Sequence, residues 1–224
     1  MLLAGFDAGQ TSTRCRVCRW QEDGWQILGE GSGPGVSHLE ASGGAERFRQ
    51  AVLISFKAAS EGQGERRLDA AVIGASGIEQ GSALQPRATA LLADALSLPE
   101  DRVLATGDER TALRGAFPEG DGIILISGTG MICLGRDRQG REHRCGGWGW
   151  MLDGAGSACD LGHQGLQRTL QMADGRRPDH PLRQRMWKQL GCRSHADVKA
   201  WVVQPSRTAA DLAALAPLLV AAAD

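Results

Sequence analysis

The sequence has no excess of charge of either sign, because 25 Lys and Arg residues stand against 26 Asp and Glu residues, a formal net charge of -1. Binding to nucleic acid or an anionic membrane through overall charge needs a basic surplus, so the composition supports neither partner. The sequence also lacks an apolar run that could span a bilayer, and Met1 leads into a strand pattern without a basic segment or a cleavage site. We therefore expect a cytoplasmic protein.

Cysteine occurs six times, but in no arrangement that is typical of a disulfide framework. The spacing of Cys15 and Cys18 matches half of a zinc site, yet the sequence has no second Cys-x-x-Cys and no matched histidine pair to complete a tetrahedron. We expect reduced thiols and no zinc. The remaining composition, 42% hydrophobic and 23% charged, is that of an ordinary globular protein.

The chain is organised around the stretch from Gly122 to Ser157. It opens with the apolar run Ile123–Ile126, which predicts a buried strand, and continues into Ser-Gly-Thr-Gly at 127–130. Glycines there let backbone N–H groups point into one concavity, and the Thr129 hydroxyl adds a donor, so the loop suits phosphate oxygens. An ordinary hairpin turn explains these four residues equally well.

The N-terminus repeats this order of a strand, a glycine-rich loop and two further strands. Two hairpins of one design predict a duplicated unit, and each needs helices behind it and its twin in front to bury its apolar face. The predicted strands are Leu2–Asp7, Arg14–Trp20 and Trp25–Leu28, with a turn at Glu22–Gly24, and then Ile123–Ile126, Met131–Leu134 and Arg141–Arg144, with a turn at Asp137–Gly140.

Acidic and small residues follow three of the predicted strands, at the sheet edge where α/β proteins bind ligands. Asp7 ends the first strand and is interpreted as metal-linked, with a turn-capping role as the alternative. The predicted strand Leu68–Ile73 is followed by a loop with Ala-Ser-Gly at 75–77. Asp108 follows the predicted strand Val103–Ala105, where a general base is well placed, although a helix N-cap is the simpler local explanation.

The rest of the chain is predicted to be helices and loops. Gly29–Gly44 is predicted as a surface loop, in which Ser37 and His38 either contact a substrate or face solvent. Glu61–Arg67 is predicted as a charged turn. Helices are predicted over Ala45–Ala59, Pro86–Leu96, Glu109–Arg114, Ala158–Ala173, Leu182–Leu190, Ala196–Val203 and Ala209–Ala223, the last interrupted by Pro217.

Five motifs in this order resemble the N-acetylglucosamine kinase members of the BadF/BadG-type ATPase family. They are Gly5–Thr13 (GFDAGQTST), the Ala75–Gly77 loop, the strand end at Asp108, Ile126–Gly130 (ISGTG) and Cys145–Ser157 (CGGWGWMLDGAGS). The resemblance implies an α/β protein with the actin-like ATPase, or ribonuclease H-like, fold. We expect two duplicated lobes with mixed, five-stranded sheets, at 1–118 and 119–224. The family continues with a further segment, so the second lobe is expected to be incomplete.

The resemblance also implies a role for individual residues. Asp7 holds Mg²⁺ through water, and Asp108 is the base for the 6-hydroxyl of a sugar. The Asp-Gly-Ala-Gly-Ser at 153–157 departs from the family's Gly-Asp-Glu-Gly-Ser, which places the acid one residue early. The residues expected at the ATP phosphates are Gly9, Thr11, Gly128, Thr129 and Gly130, and those expected at the sugar are Ser37, Ser76, Gly77, Gly146, Gly147, Trp148 and Asp153.

We therefore expect an ATP- and Mg²⁺-dependent amino-sugar kinase that makes a 6-phosphate. Its expected partner is a small sugar, and the sequence leaves open whether the protein forms a homodimer. One alternative is an ATPase activator of a CoA-ester reductase or dehydratase, which would carry cysteines for an iron–sulfur cluster; the scattered cysteines speak against it. Another is a non-catalytic sensor of sugar or nucleotide, but the presence of Asp7 and Asp108 favours an enzyme. A ROK-type kinase would need a zinc motif that is absent.

Overall fold

The computed structural model describes residues 1–22, 24–62 and 67–223. They fall into two compact units, Met1–Glu119 and Gly120–Asp224. That these units are the two expected lobes stays a prediction. The predicted turns at Glu22–Gly24 and Glu61–Arg67 lie partly outside the described residues. No helix in the described ranges is long and apolar enough to cross a bilayer.

The first unit is built on a mixed sheet of five strands in the order β3-β2-β1-β4-β5. β1 is antiparallel to β2 and parallel to β4, which in turn is parallel to β5. The two parallel pairings require crossovers, and helices supply them. This arrangement confirms the mixed, five-stranded α/β sheet expected here. The strands are β1 (Leu2–Ala8), β2 (Ser12–Gln21), β3 (Gly24–Pro34), β4 (Ala70–Ala75) and β5 (Val103–Thr106).

The alternation of buried and exposed residues along β1 explains on which face of the sheet the hydrophobic core of the first unit lies. Ala4, Phe6 and Ala8 are buried, whereas Gly5 and Asp7 are exposed, as the two-residue period of a strand requires. The buried face meets the apolar side of α1 (Gly44–Ser60) and α2 (Leu84–Leu96), which contribute core side chains such as Phe48, Val52 and Leu92. The unit also contains α3 (Asp108–Ala116) and a 3-10 turn at Glu100–Arg102.

β3 is longer than predicted, because six of the sixteen residues of the expected surface loop at Gly29–Gly44, residues 29–34, are strand. Gly31 and Gly33 face the backbone of α1, and a Cβ at Gly33 would stand 3.0 Å from the carbonyl oxygen of Ala51. A Cβ at Gly31 would overlap the backbone at Ala59. The glycines therefore let a helix pack closely on the strand, a contact that a single sequence does not reveal.

The second unit contains a sheet of three antiparallel strands, in the order β6-β7-β8, followed by helices. The described residues of this unit therefore form three antiparallel strands, fewer than the five of the first unit. The strands are β6 (Gly122–Ser127), β7 (Met131–Arg136) and β8 (Glu142–Gly146), and the helices are α4 (Ala158–Ala173), α5 (Pro181–Gln189), α6 (His195–Val202), α7 (Ala209–Ala213) and α8 (Ala216–Val220).

The strand β6 is not buried as predicted. Ile123 is 70% exposed and Leu125 66%, whereas Leu134 on the neighbouring strand is fully buried. An apolar run indicates burial on both faces only where layers cover both faces, and β6 is an edge strand of its sheet. Its composition was therefore a reliable sign of a strand but not of its burial.

The helices of the second unit enclose a separate core. Its fully buried members include Met186, Val198 and Leu215, and the indole N–H of Trp187 donates to the buried Thr169 hydroxyl at 2.9 Å. The expected last helix is two short helices, because Pro217 sits in the first turn of α8, where its missing N–H and fixed φ cost nothing.

Candidate active site

Three loops meet at the carboxyl edge of the first sheet. The Ser76 N–H donates to the Ala8 carbonyl at 2.9 Å, and the Val36 N–H donates to the Gly9 carbonyl at 3.0 Å. Gly9 itself donates its N–H to the Ser12 carbonyl at 3.0 Å, which closes the turn between β1 and β2. The loops after β1, β3 and β4 are thus joined through backbone hydrogen bonds. The structure brings the predicted phosphate residue Gly9 next to the predicted sugar residue Ser76.

Gly35 packs against the turn between β1 and β2, and sequence reasoning did not identify it. A Cβ at this position would overlap the backbone carbonyl of Gln10 and stand 2.6 Å from the carbonyl carbon of Thr11. Only a residue without a side chain permits this approach. Thr11 remains exposed at the tip of the turn. A glycine run that follows a strand was the available signal, but it was interpreted only as a loop.

Asp7 is exposed at the end of β1, between Arg14 on β2 and Gly74 on β4. Among the described residues, no hydrogen bond or ion pair occupies its carboxylate. Mg²⁺ prefers oxygen ligands and usually keeps several waters, binding through one or two carboxylates and the phosphates of its substrate. A single accessible carboxylate beside a glycine turn fits that requirement. Elsewhere in the described ranges, no group of three His, Cys, Asp or Glu side chains could hold a metal.

Ser37 and Gly77 belong to adjoining loops. The ring of His38 lies beside Gly77, with its Cδ2 atom 3.6 Å from the position that a Cβ would take. Gly77 has a φ of 83°, in the left-handed region that favours glycine. His38 is exposed, with Nδ1 4.0 Å from the Glu40 carboxylate. The predicted sugar residues of the first unit therefore share one edge of the sheet.

Asp108 is the first residue of α3, and the N-cap is Gly107, which provides no side-chain cap. The local interpretation of Asp108 as a helix N-cap is therefore wrong. Its carboxylate accepts the Glu109 N–H at 3.1 Å, and its carbonyl accepts the Thr111 hydroxyl at 2.8 Å. The half-buried side chain follows β5, and the positive end of the helix dipole stabilises its negative charge.

Glu109 is a buried acid beside Asp108 that sequence reasoning missed. It is 7% exposed, its carboxylate lies against Gly107, and the nearest guanidinium nitrogen, Nε of Arg110, is 3.8 Å away. Burial raises the pKa of Glu109 above its ordinary value, and the neighbouring Asp108 raises this pKa further, whereas Arg110 opposes the shift. The adjacent acids at 108 and 109 were the available signal.

The Ser-Gly-Thr-Gly loop of the second unit is bonded to the N-terminus of α4. The Ala158 N–H donates to the Gly128 carbonyl at 2.8 Å, and the Cys159 N–H donates to the Thr129 carbonyl at 3.3 Å. Gly128 also donates its N–H to Gly130 at 2.9 Å. All three predicted phosphate residues are exposed. The loop therefore sits at a helix N-terminus, where a positive dipole end favours anions.

The predicted sugar residues of the second unit also lie close together. Gly146 and Gly147 have φ values of 77° and 78°, so two successive residues are left-handed. A Cβ at Gly146 would stand 3.5 Å from an Asp153 carboxylate oxygen. Trp148 follows the two glycines and is 59% exposed. The segment after Gly146 thus contains an exposed indole ring, on Trp148, and a carboxylate, on Asp153, that lies near Gly146.

The chain matches the model of an ATPase family and is similar to two proteins named as sugar kinases. The model of the BadF/BadG/BcrA/BcrD ATPase family matches residues 4–224. The N-acetylmuramic acid/N-acetylglucosamine kinase of Clostridium acetobutylicum is 33% identical over 114 residues, which are 51% of this chain and 37% of that protein. The N-acetyl-D-glucosamine kinase of Dictyostelium discoideum is 34% identical over 84 residues, 38% of this chain and 26% of that protein.

A solved structure is similar over nearly the whole chain. A protein of Chromobacterium violaceum, provisionally named N-acetylglucosamine kinase, superposes with a TM-score of 0.78 at 30% identity. The match covers 99% of this chain and 74% of that one. The matches to the two curated relatives span less than half of either relative's length. The similarity confirms the actin-like α/β fold expected from the motifs.

Proposed function

The chain belongs to the BadF/BadG/BcrA/BcrD ATPase family, and we propose that it is an ATP-dependent amino-sugar kinase acting on the 6-hydroxyl of N-acetylglucosamine or glucosamine. The observation that carries this proposal is the first unit's sheet edge. There the loops that follow β4 and β3 are hydrogen-bonded to the end of β1, from Ser76 to Ala8 and from Val36 to Gly9. Asp108 follows β5 at the carboxyl end of a strand parallel to β4. Two curated relatives named as N-acetylglucosamine kinases support the choice of substrate.

Asp108 is the proposed general base. Its carboxylate orients the sugar hydroxyl and accepts the hydroxyl proton while the oxygen forms a bond to the γ-phosphorus. The bond from that phosphorus to the bridging oxygen of ADP breaks in the same step. The position at the start of α3 holds the carboxylate in place and stabilises its charged form.

The phosphates of ATP are proposed to bind at the two glycine turns. Gly9 and Thr11 contribute from the turn closed by Ser12, and residues 128–130 contribute from the loop at the N-terminus of α4. Asp7 would hold Mg²⁺ through water molecules. When bound, the ion neutralises charge on the phosphates. Positioning and charge neutralisation, rather than covalent catalysis, then carry the reaction.

Two sets of residues, one in each unit, are proposed as contacts for the sugar. In the first unit the adjoining loops of residues 37–38 and 76–77 offer hydroxyl groups and an exposed histidine. In the second unit the Gly146–Trp148 segment offers backbone groups and an indole face, which suits the apolar side of a pyranose ring. Asp153 stands beside Gly146 and can accept a hydrogen bond from a sugar hydroxyl. The set proposed for the sugar is Ser37, Ser76, Gly77, Gly146, Gly147, Trp148 and Asp153.

A substrate screen tests the proposal. The protein is incubated with ATP, Mg²⁺ and one of several amino sugars or hexoses, and ADP release is coupled to an optical signal. We expect sugar-dependent ADP release with N-acetylglucosamine or glucosamine, and a product whose phosphorus couples to the protons on carbon 6 in NMR. Sugar-independent ATP hydrolysis would instead favour an activator ATPase, and binding without turnover would favour a sensor.

A further inference from the structure

One side chain, Arg144 on β8, contacts three successive residues of the predicted sugar loop. Its Nε donates to the Gly146 carbonyl at 3.1 Å, and its Nη2 donates to the Gly147 carbonyl at 2.7 Å. The guanidinium carbon then lies 4.6 Å from the centre of the Trp148 ring, within the range of a cation–π interaction. Two charge-assisted hydrogen bonds and one ring contact therefore come from a single group.

The loop needs such support because its backbone is left-handed at two consecutive positions, Gly146 and Gly147. Glycine adopts this conformation without strain, but it also has the most conformational freedom to lose when the loop is ordered. At Gly147 a Cβ would stand 2.8 Å from Cδ1 of Ile132 and 2.9 Å from Nη2 of Arg144. Because Gly147 has no side chain, the guanidinium of Arg144 has room to reach the loop.

Arginine is suited to this position in a way that lysine is not. Its planar guanidinium offers five N–H donors in a fixed fork, so it can serve two carbonyls and stack on an indole at once. β7 holds the stem, because Arg144 pairs with Leu134, which is fully buried. Trp148 is 59% exposed, so one part of the ring rests on the guanidinium while another stays accessible.

We propose that Arg144 is a positioning residue for sugar recognition, which fixes Gly146, Gly147 and Trp148 in the conformation that receives the sugar. This inference rests on the proposed kinase function for its effect on substrate, but the ordering of the loop does not depend on that function. Arg144 acts through the loop and need not touch the sugar. Its loss should therefore affect the KM for the sugar and leave the KM for ATP unchanged.

The test uses two variants of the full chain and one matched control. Arg144→Met keeps an aliphatic stem and removes every donor, and Arg144→Lys keeps the charge without the fork. The control is Arg138→Met, on the β7–β8 turn, where the side chain is 84% exposed. Hydrogen exchange of residues 145–152 is followed by mass spectrometry beside the KM for N-acetylglucosamine and for ATP.

We expect Arg144→Met to speed exchange in residues 145–152 and to raise the sugar KM about tenfold or more, as the loss of two hydrogen bonds to a charged donor would. Arg144→Lys should give an exchange rate and a sugar KM between those of Arg144→Met and the wild type. Arg138→Met should give the wild-type values of both. If both Arg144 variants fold and exchange in 145–152 is unchanged, the inference is overturned. If the wild type phosphorylates no sugar, the proposed function fails, and the exchange experiment still decides the role of Arg144.

Discussion

Gly74 on β4 lies so close to Thr111 on α3 that a methyl group at position 74 would overlap the Thr111 hydroxyl. The same hydroxyl donates to the Asp108 carbonyl at 2.8 Å. The missing side chain of Gly74 therefore seats the first turn of α3, with the proposed base, directly on the sheet. Gly74 thus helps to fix the position of Asp108, which lies three residues before its contact Thr111.

Replacement of Gly74 by alanine should move α3 away from β4. We expect the free energy of unfolding to fall by about 1–3 kcal/mol, as is typical when extra atoms are forced into a packed contact, and turnover to fall because Asp108 is displaced. Urea unfolding and the kinase assay measure the two effects. Gly5→Ala on β1 is the control, because a Cβ there would meet nothing within 4 Å. Equal losses in both variants would show that the Thr111 contact is not responsible.

The pH dependence of stability should reveal Glu109. Burial raises the pKa of Glu109 above its ordinary value of 4.5, so between the two values the folded state holds a proton that the unfolded state has lost. The free energy of unfolding then falls as the pH rises through this window. Glu109→Gln removes that titration, so its stability relative to the wild type should increase as the pH rises above 4.5.

Urea midpoints of wild type and Glu109→Gln at several pH values provide the measurement. Glu119→Gln is the control, since it is the same substitution at an exposed position of the same unit. Asp108 and Arg110 are the charged neighbours of Glu109, and both remain in the variant. A constant difference between variant and wild type across the pH range would mean that Glu109 ionises normally in the folded state.

Much of the fold could be predicted because its signals are local. Each helix predicted before residue 209 begins and ends within two residues of the predicted bounds. The bounds of α4 were predicted correctly, since Ser157 accepts the Asp160 N–H as an N-cap at 3.1 Å and a glycine-rich segment precedes it. Such caps depend only on residues within one turn of the chain.

The errors concern contacts between segments that are distant in the sequence. Gly31 and Gly33 indicate a loop when the chain is considered alone, and only their pairing with Cys15 and Thr13 on β2 makes them strand residues. The burial of Glu109 and the approach of Gly35 to Gln10 likewise depend on packing partners. In the candidate site, the motifs predicted which residues follow each strand, but not the bonds that join their loops.

Thr13 on β2 is fully buried, and its hydroxyl has no hydrogen-bond partner among the residues that the structure describes. A buried hydroxyl without a partner opposes folding. Thr13→Val keeps the shape and removes the hydroxyl, so we expect the free energy of unfolding to rise by about 1 kcal/mol. Thermal and urea unfolding provide the measurement.

The matched control for this substitution is Thr169→Val on α4. Thr169 is also fully buried, but its hydroxyl donates to Leu166 at 2.7 Å and accepts from Trp187 at 2.9 Å. The same change there should lower stability by about 1–3 kcal/mol, because the indole N–H loses its acceptor. A loss of stability in Thr13→Val similar to that in Thr169→Val would show that the Thr13 hydroxyl has a partner in solution.

Asp153 is proposed to bind the sugar in place of an acid at position 154. Asp153→Ala should weaken sugar binding by about 1–3 kcal/mol, the range for a lost hydrogen bond to a charged group, as measured by calorimetry. Gly154→Asp should then improve affinity, since a Cβ at 154 would meet only atoms 3.4 Å or more away. Unchanged affinity in Asp153→Ala would mean that this carboxylate does not contact the sugar.

Asp108→Asn tests the proposed base directly. Asparagine keeps the size of the side chain and its oxygen can still accept the Glu109 N–H, but it cannot take up the sugar proton. Because Gly107 and not Asp108 is the N-cap of α3, the thermal midpoint should change little. Single-turnover phosphorylation should slow by about 10²- to 10⁴-fold, the usual contribution of a general base. Asp101→Asn, at an exposed position of the same unit, should retain wild-type turnover. A variant at position 108 that melts early yet phosphorylates at nearly the normal rate would make Asp108 a structural residue and place the base elsewhere.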